Sequence, residues 1–249
     1  MANRLNRLLV HLLSQKGQLK RGDEVDVDFD HEFTPGETYD AKFTYKKKKG
    51  YFPGVATVGG LIVGIENRDA NTNVKFKQAG TLIRILSRLI CIAGVRINKF
   101  CADCGSYSRD IIEEVSKSCK TFYIRASNCR NRYQKVAEIK DWKKVEINNE
   151  TNEVTSVVND TLVREKTFRL VVQRQEQKEG EGNPLDDLFG RRYTYRCIIT
   201  NDWEMSDEEV IRIAIREEKA RRILIFRTTI SDGHICLFLK WRRTNHSCW

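Results

Sequence analysis

Three aspartates stand at every second position in Val25-Asp26-Val27-Asp28-Phe29-Asp30, and another ends an apolar run in Ala102-Asp103-Cys104-Gly105. Period-two alternation is the pattern of a strand, so Asp26, Asp28 and Asp30 fall on one face and Val25, Val27 and Phe29 on the other. Carboxylates on strands and strand ends suit hard divalent ions, which prefer oxygen ligands and neutralise charge on the attacking and leaving oxygens of a phosphodiester. Asp28 and Asp103 are the candidate pair, against a solvated strand face and a plain turn as the competing readings of the two segments. Cys101-x-x-Cys104 spaces two thiols as half of a zinc site, which His234-x-Cys236 or His246-x-Cys248 would have to complete. Otherwise the eight cysteines read as small, reduced, buried thiols.

Groups so far apart in sequence need a framework to bring them together, and the spacing predicts one. Leu5, Leu8, Leu9, Leu12 and Leu13 recur at helical intervals, so the first twenty residues read as one amphipathic packing helix, broken by Gly17 and Gly22. After the aspartate strand come two strand-like stretches, 51–58 and 61–66, around Gly59-Gly60, a dipeptide suited to a tight hairpin. Leu82, Ile83, Ile85, Leu86 and Leu89 mark a helix from near Gln78; 95–102 is a strand running into Asp103; Ile111, Ile112 and Val115 mark another helix; 121–125 is a strand. That order predicts a mixed α/β sheet. Short β-rich pieces at 144–147, 154–158 and 168–173 predict an antiparallel insertion, followed by a charged loop at 175–187 and a strand at 193–200. Ser206 before Asp207-Glu208-Glu209 is a hydroxyl cap with early carboxylates, the opening of a further helix.

Lys plus Arg exceed Asp plus Glu by 44 to 34, a formal charge of +10 that favours a polyanionic partner through counterion release. No apolar run approaches the ~20 residues of a membrane span, and the composition reads as a cytoplasmic protein without a membrane partner.

The stretches Tyr39-Asp40-Ala41-Lys42-Phe43-Thr44-Tyr45, Gly50-Tyr51-Phe52-Pro53-Gly54-Val55-Ala56-Thr57 and Glu66-Asn67-Arg68-Asp69, together with Ala102-Asp103-Cys104-Gly105-Ser106, resemble the catalytic core of DDE transposases from bacterial insertion sequences. The likeness covers roughly residues 24 to 212. It implies a ribonuclease H-like mixed sheet flanked by helices and carrying a β-rich insertion. The segments would be an N-terminal helix at 1–22, the first part of the core at 23–141, the insertion and its loop at 142–192, a return to the core at 193–212 and a tail at 213–249. The implied activity is metal-dependent cleavage and strand transfer of DNA, with a two-ion Mg²⁺ or Mn²⁺ site, the double-stranded ends of a transposon as substrate and a homodimer as the intact enzyme. By resemblance Asp103 is the second catalytic carboxylate and a metal ligand, and Asp28 the first; Asp26 and Asp30 share the face of Asp28 and stay open as alternatives. Lys46, Lys47, Lys48, Lys49, Arg125, Arg130, Arg132, Lys143 and Lys144 are implied phosphate contacts, each with an ordinary solvated charge as its other reading. A separate N-terminal DNA-binding domain of such transposases is expected to be absent.

The resemblance breaks on the helix after Thr200. The family places its glutamate there in a pattern of Tyr, two residues, Arg, three residues, Glu, whereas this chain reads Ile213-Ala214-Ile215-Arg216-Glu217-Glu218-Lys219-Ala220-Arg221. Read one nucleotide earlier from Ala214 onward, the codons allow N-Q-R-G-K-S-E-K, which restores the Arg, three residues, Glu spacing but not the Tyr. A frameshift beside Ile213 or Ala214 is the expectation, with the third carboxylate lost near Arg221 and this copy inactive. A DNA-binding remnant without catalysis is the alternative function.

Overall fold

The computed structural model describes residues 2–31, 33–44, 47–127, 136, 138–176, 193–223, 227–231 and 234–238, with backbone alone for Ala2, Asp160 and the residues beyond 216. It is a mixed α/β chain of two compact units, Met1–Arg96 with Arg216–Trp249, and Ile97–Ile215.

The first unit begins with α1 (Ala2–Gln15) and β1 (Glu24–His31), followed by three short strands, β2 (Thr34–Pro35), β3 (Lys42–Phe43) and β4 (Lys49–Tyr51). Next come β5 (Gly54–Val58), β6 (Leu61–Glu66) and α2 (Gln78–Arg88), which runs into a π turn at Leu89–Ala93. β1, β5 and β6 form an antiparallel meander, β6-β5-β1. Gly59 (φ +56°) and Gly60 (φ +81°) close the β5–β6 hairpin, a two-residue turn with both centres in the left-handed region that glycine enters without steric cost. In β1 the alternation behaves as the sequence predicts: Val25, Val27 and Phe29 are buried, while Asp26 is exposed and Asp28 and Asp30 are half-buried on the opposite face.

The helix α1 departs from its sequence reading. It ends at Gln15 rather than near residue 20, and Leu5, Leu8 and Leu12 point to solvent, being 62%, 53% and 44% exposed. The buried positions are Val10 and Asn6. The Asn6 amide donates to Ile65 O (2.7 Å) and accepts from Ile65 N (3.0 Å), pairing both polar groups of one residue of β6. A buried backbone N–H and C=O without partners would cost more than a lost apolar contact, which is why a polar residue, not a leucine, sets the packing face here.

On β6, Gly64 lets α2 come close. A Cβ built there would lie 2.9 Å from Ile85 Cγ1, inside the core. Gly64→Ala is therefore expected to lower stability by about 1–3 kcal/mol through overpacking, measured as a shifted urea midpoint at unchanged m-value.

The second unit contains β7 (Arg96–Ala102, beginning at the boundary), α3 (Arg109–Ser118), β8 (Cys119–Arg125), β9 (Lys143–Ile147), β10 (Glu150–Val163), β11 (Lys166–Glu176), β12 (Tyr193–Thr200) and the first half of α4 (Asp207–Ile223). The strands lie in the order β7-β8-β12-β11-β10-β9. β7 and β8 are parallel, as a connection through a helix allows, and the other pairs are antiparallel. The predicted insertion strands are present and longer than predicted. Asn148 (φ +54°) and Asn149 (φ +63°) form the two-residue turn between β9 and β10, a place where asparagine tolerates the left-handed region. From α4, Val210, Ile211 and Ile215 pack onto one sheet face with Val145, Val154, Val171 and Ile198. Beyond α4 the described backbone forms a hairpin of β13 (Arg227–Ser231) and β14 (His234–Phe238).

No helix among the described residues is long and apolar enough to cross a membrane.

Candidate functional site

Asp103 is the first residue beyond β7, where ligands of open α/β sheets collect outside the carboxyl ends of the strands. It has extended backbone angles (φ −83°, ψ 178°) and leads into a single 3₁₀ turn, Cys104–Ser106, in which Ser106 N donates to Asp103 O at 2.9 Å. The parallel register sets Ala102 beside Ile124, so the next residue of each strand, Asp103 and Arg125, are also neighbours. Their side chains form an ion pair at 3.7 Å, with Arg125 32% and Asp103 43% exposed. The Cys104 thiol donates to the second carboxylate oxygen of Asp103 at 3.6 Å. A cation on one side and a weak donor on the other keep this carboxylate directed at the strand end while leaving it open to solvent.

Asp28, in the first unit, sits in the middle of β1 opposite Thr57 of β5. Strand pairing on that side fixes its backbone, so the carboxylate has only side-chain rotamers to choose from. On the opposite face of the strand, His31 lies against Phe29 edge-on (5.1 Å) and stacks on Phe52 (5.8 Å). Burial, with Arg68 nearby, pushes the imidazole down to about 4, so His31 is neutral at physiological pH.

The lysines and arginines separate into groups. Lys47 and Lys48 are exposed in the turn between β3 and β4, and Lys49 is half-buried with its ammonium donating to Glu37 O. Lys46, Arg130 and Arg132 lie outside the described residues. Lys143 and Lys144 are exposed on β9. β9 is four strand spacings from β8 in the sheet order, about 19 Å at ordinary strand separation, so these two lysines stand apart from Arg125.

Cys101 is buried in the core cluster under α4, Cys104 engages Asp103, and the histidine and cysteine side chains beyond residue 216 lie outside the described set. For a divalent ion the donor chemistry of Asp28 and Asp103 is right, two hard oxygen ligands, but among the described residues no group of three or more His, Cys, Asp or Glu side chains is gathered as a metal centre would need.

One anchoring network escaped the sequence reading. Arg169 of β11, 9% exposed, donates to Asp202 O (3.1 Å), Met205 O (2.5 Å) and the Asp207 carboxylate (2.6 Å). Asp202, 8% exposed, accepts from the Tyr123 hydroxyl (2.6 Å) and from Glu204 N and Met205 N. These bonds hold the Asp202 carboxyl below its usual range against the opposing effect of burial, and the Tyr123 hydroxyl is pushed well above its ordinary value by burial and by Asp202. Together with the predicted Ser206 cap, which exchanges hydrogen bonds with Glu209 (3.1 and 3.3 Å), they fix where α4 starts.

Comparison with protein-family models gave no match, and no curated protein matches the chain.

Proposed function

We propose that this chain carries the catalytic core of a DDE-type transposase of ribonuclease H-like fold, in which Asp28 and Asp103 are two of the metal-binding carboxylates, and that this copy binds DNA without cutting it. The observation that carries the reading is Asp103 at the carboxyl end of β7, beside Arg125, in the position the resemblance assigns to the second catalytic aspartate. The element order supports it as well. An antiparallel meander whose first strand bears the aspartate row is followed by a helix and a parallel strand-helix-strand unit, then by an antiparallel insertion and a helix.

In this reading Asp28 and Asp103 would each supply a carboxylate to a divalent ion, which would contribute charge neutralisation at a DNA phosphate. Arg125 compensates the Asp103 charge in the metal-free chain and contacts phosphate when DNA is present. The helix α4 is where the family carries its third carboxylate, and the shifted frame removes it near Arg221.

The test is Mn²⁺ titration followed by electron paramagnetic resonance, paired with binding to duplex DNA over a range of salt. Weak Mn²⁺ binding that is lost in both Asp28→Asn and Asp103→Asn, and an affinity for duplex that falls steeply with salt, are the expected results. Mn²⁺ binding unaffected by either substitution would sink the metal assignment.

A further inference from the structure

We propose that the small sheet β2-β4-β3 and the loop at 73–77 form a binding surface for unstacked, single-stranded nucleic acid. The surface uses residues other than the carboxylates, so it stands whether or not those hold metal.

Three rings project from it. Tyr39 is 98% exposed, Phe43 61% and Phe76 58%. Each phenylalanine has cations beside it. Phe43 pairs across the strands with Lys49, while Phe76 stands in the chain between Lys75 and Lys77, and the Lys77 ammonium is 5.1 Å from the ring centroid. The β3–β4 turn adds Lys47 and Lys48, closed by Thr44 N donating to Lys48 O at 2.8 Å and Lys47 N to Thr44 O at 2.9 Å.

The two segments are fastened to one stretch of backbone. Tyr51 bridges to Asp69, Phe52 N donates to Arg68 O at 2.8 Å, and the Arg68 guanidinium donates in turn to Phe76 O. The approach to Tyr39 is also fixed. The Tyr51 hydroxyl donates to the Asp40 carboxylate at 2.6 Å and lies 2.6 Å from Thr38 Oγ1, so the residues on both sides of Tyr39 are tied to β4.

Single exposed rings are common and call for no explanation. Here each exposed phenylalanine has a lysine neighbour, Lys49 across the strands from Phe43 and Lys77 over Phe76, and a single strand offers a counterpart to both, bases that stack on rings and a backbone that meets ammonium groups. A partner protein would be met instead by a continuous apolar patch, and the rings here are separated by charge. In a duplex the base faces are already stacked on one another, which leaves the rings without a counterpart.

The test is fluorescence anisotropy of labelled oligothymidine with the full chain in EDTA. Phe43→Ala and Phe76→Ala should each weaken binding by about 5- to 100-fold, Phe43→Trp should restore it, and Lys42→Gln with Lys48→Gln should reduce the salt slope by about 0.7 for each lysine. The substituted side chains are exposed, and circular dichroism checks that the variants fold. Oligothymidine binding that ignores the ring substitutions would overturn the proposal, as would binding to duplex or to polyglutamate but not to the single strand. Since EDTA removes divalent ions, oligothymidine binding lost with Mn²⁺ binding intact counts against this surface alone, and the reverse outcome counts against the metal site alone.

Discussion

Incubated with supercoiled plasmid and Mn²⁺, the purified chain is expected to leave the DNA uncut. Two-metal phosphodiester chemistry relies on ions fixed by several carboxylates so that one stabilises the attacking and the other the leaving oxygen. In the proposed reading, with Asp28 and Asp103 as ligands and no glutamate at the family position, one ion would be held weakly and the second would lack its anchor. Removing a single preorganised electrostatic contributor from an active site typically costs about 10²- to 10³-fold in rate, and a missing metal ligand disturbs positioning in addition. Gel assay of nicked and linear forms over hours is the measurement. Nicking that depends on Mn²⁺ and disappears in Asp103→Ala would show that the chain is catalytic as it stands, and would refute the inactivity assigned here.

The largest effect on stability is expected at Arg169. The residue is 9% exposed, and its guanidinium serves two carbonyls and a carboxylate in the turn that starts α4. Arg169→Met keeps much of the aliphatic stem but leaves Asp202 O and Met205 O without that donor and the Asp207 carboxylate without its cation. Truncating one side of a buried, charge-assisted network costs about 3–5 kcal/mol, and the part-exposed Asp207 places this case toward the lower end. A urea midpoint lowered accordingly, with earlier proteolysis near 201–206, is the expected result. If the midpoint moved by less than about 1 kcal/mol, the range for ordinary surface ion pairs, Arg169 would be a surface residue in effect and α4 would be held by its apolar face alone. Tyr123→Phe supplies an independent check, since it removes only the hydroxyl bonded to Asp202.

Where a local rule governs, the structure follows the sequence. The aspartate row of β1 was legible because strand side chains alternate with period two, so one glance at Val25 to Asp30 assigns both faces. Gly59-Gly60 identified its hairpin because few residues enter the left-handed region, and Ser206 followed by Asp207, Glu208 and Glu209 identified the start of α4 because a hydroxyl cap and early carboxylates suit the orphan amides of a first turn. The end of β7 at Asp103 was legible for the same kind of reason, an apolar run stopped by a turn.

The rest depends on which segments meet. Arg125 reaches Asp103 because β7 and β8 pair in parallel with Ala102 beside Ile124, a register the local pattern of neither strand contains. Helical periodicity marked Leu5, Leu8 and Leu12 as apolar, yet apolar does not mean covered: Asn6 satisfies the backbone of β6, and that rotates the leucines outward. Phe43 and Phe76 gave no sign in the sequence that they would stand in water, nor Arg169 that it would be buried. By itself the sequence determined periodicity, turns, caps and charge, because each is decided within a few bonds of backbone geometry. Only the tertiary structure decided burial, ion pairing and which rings stay exposed, because those depend on contacts between residues tens of positions apart.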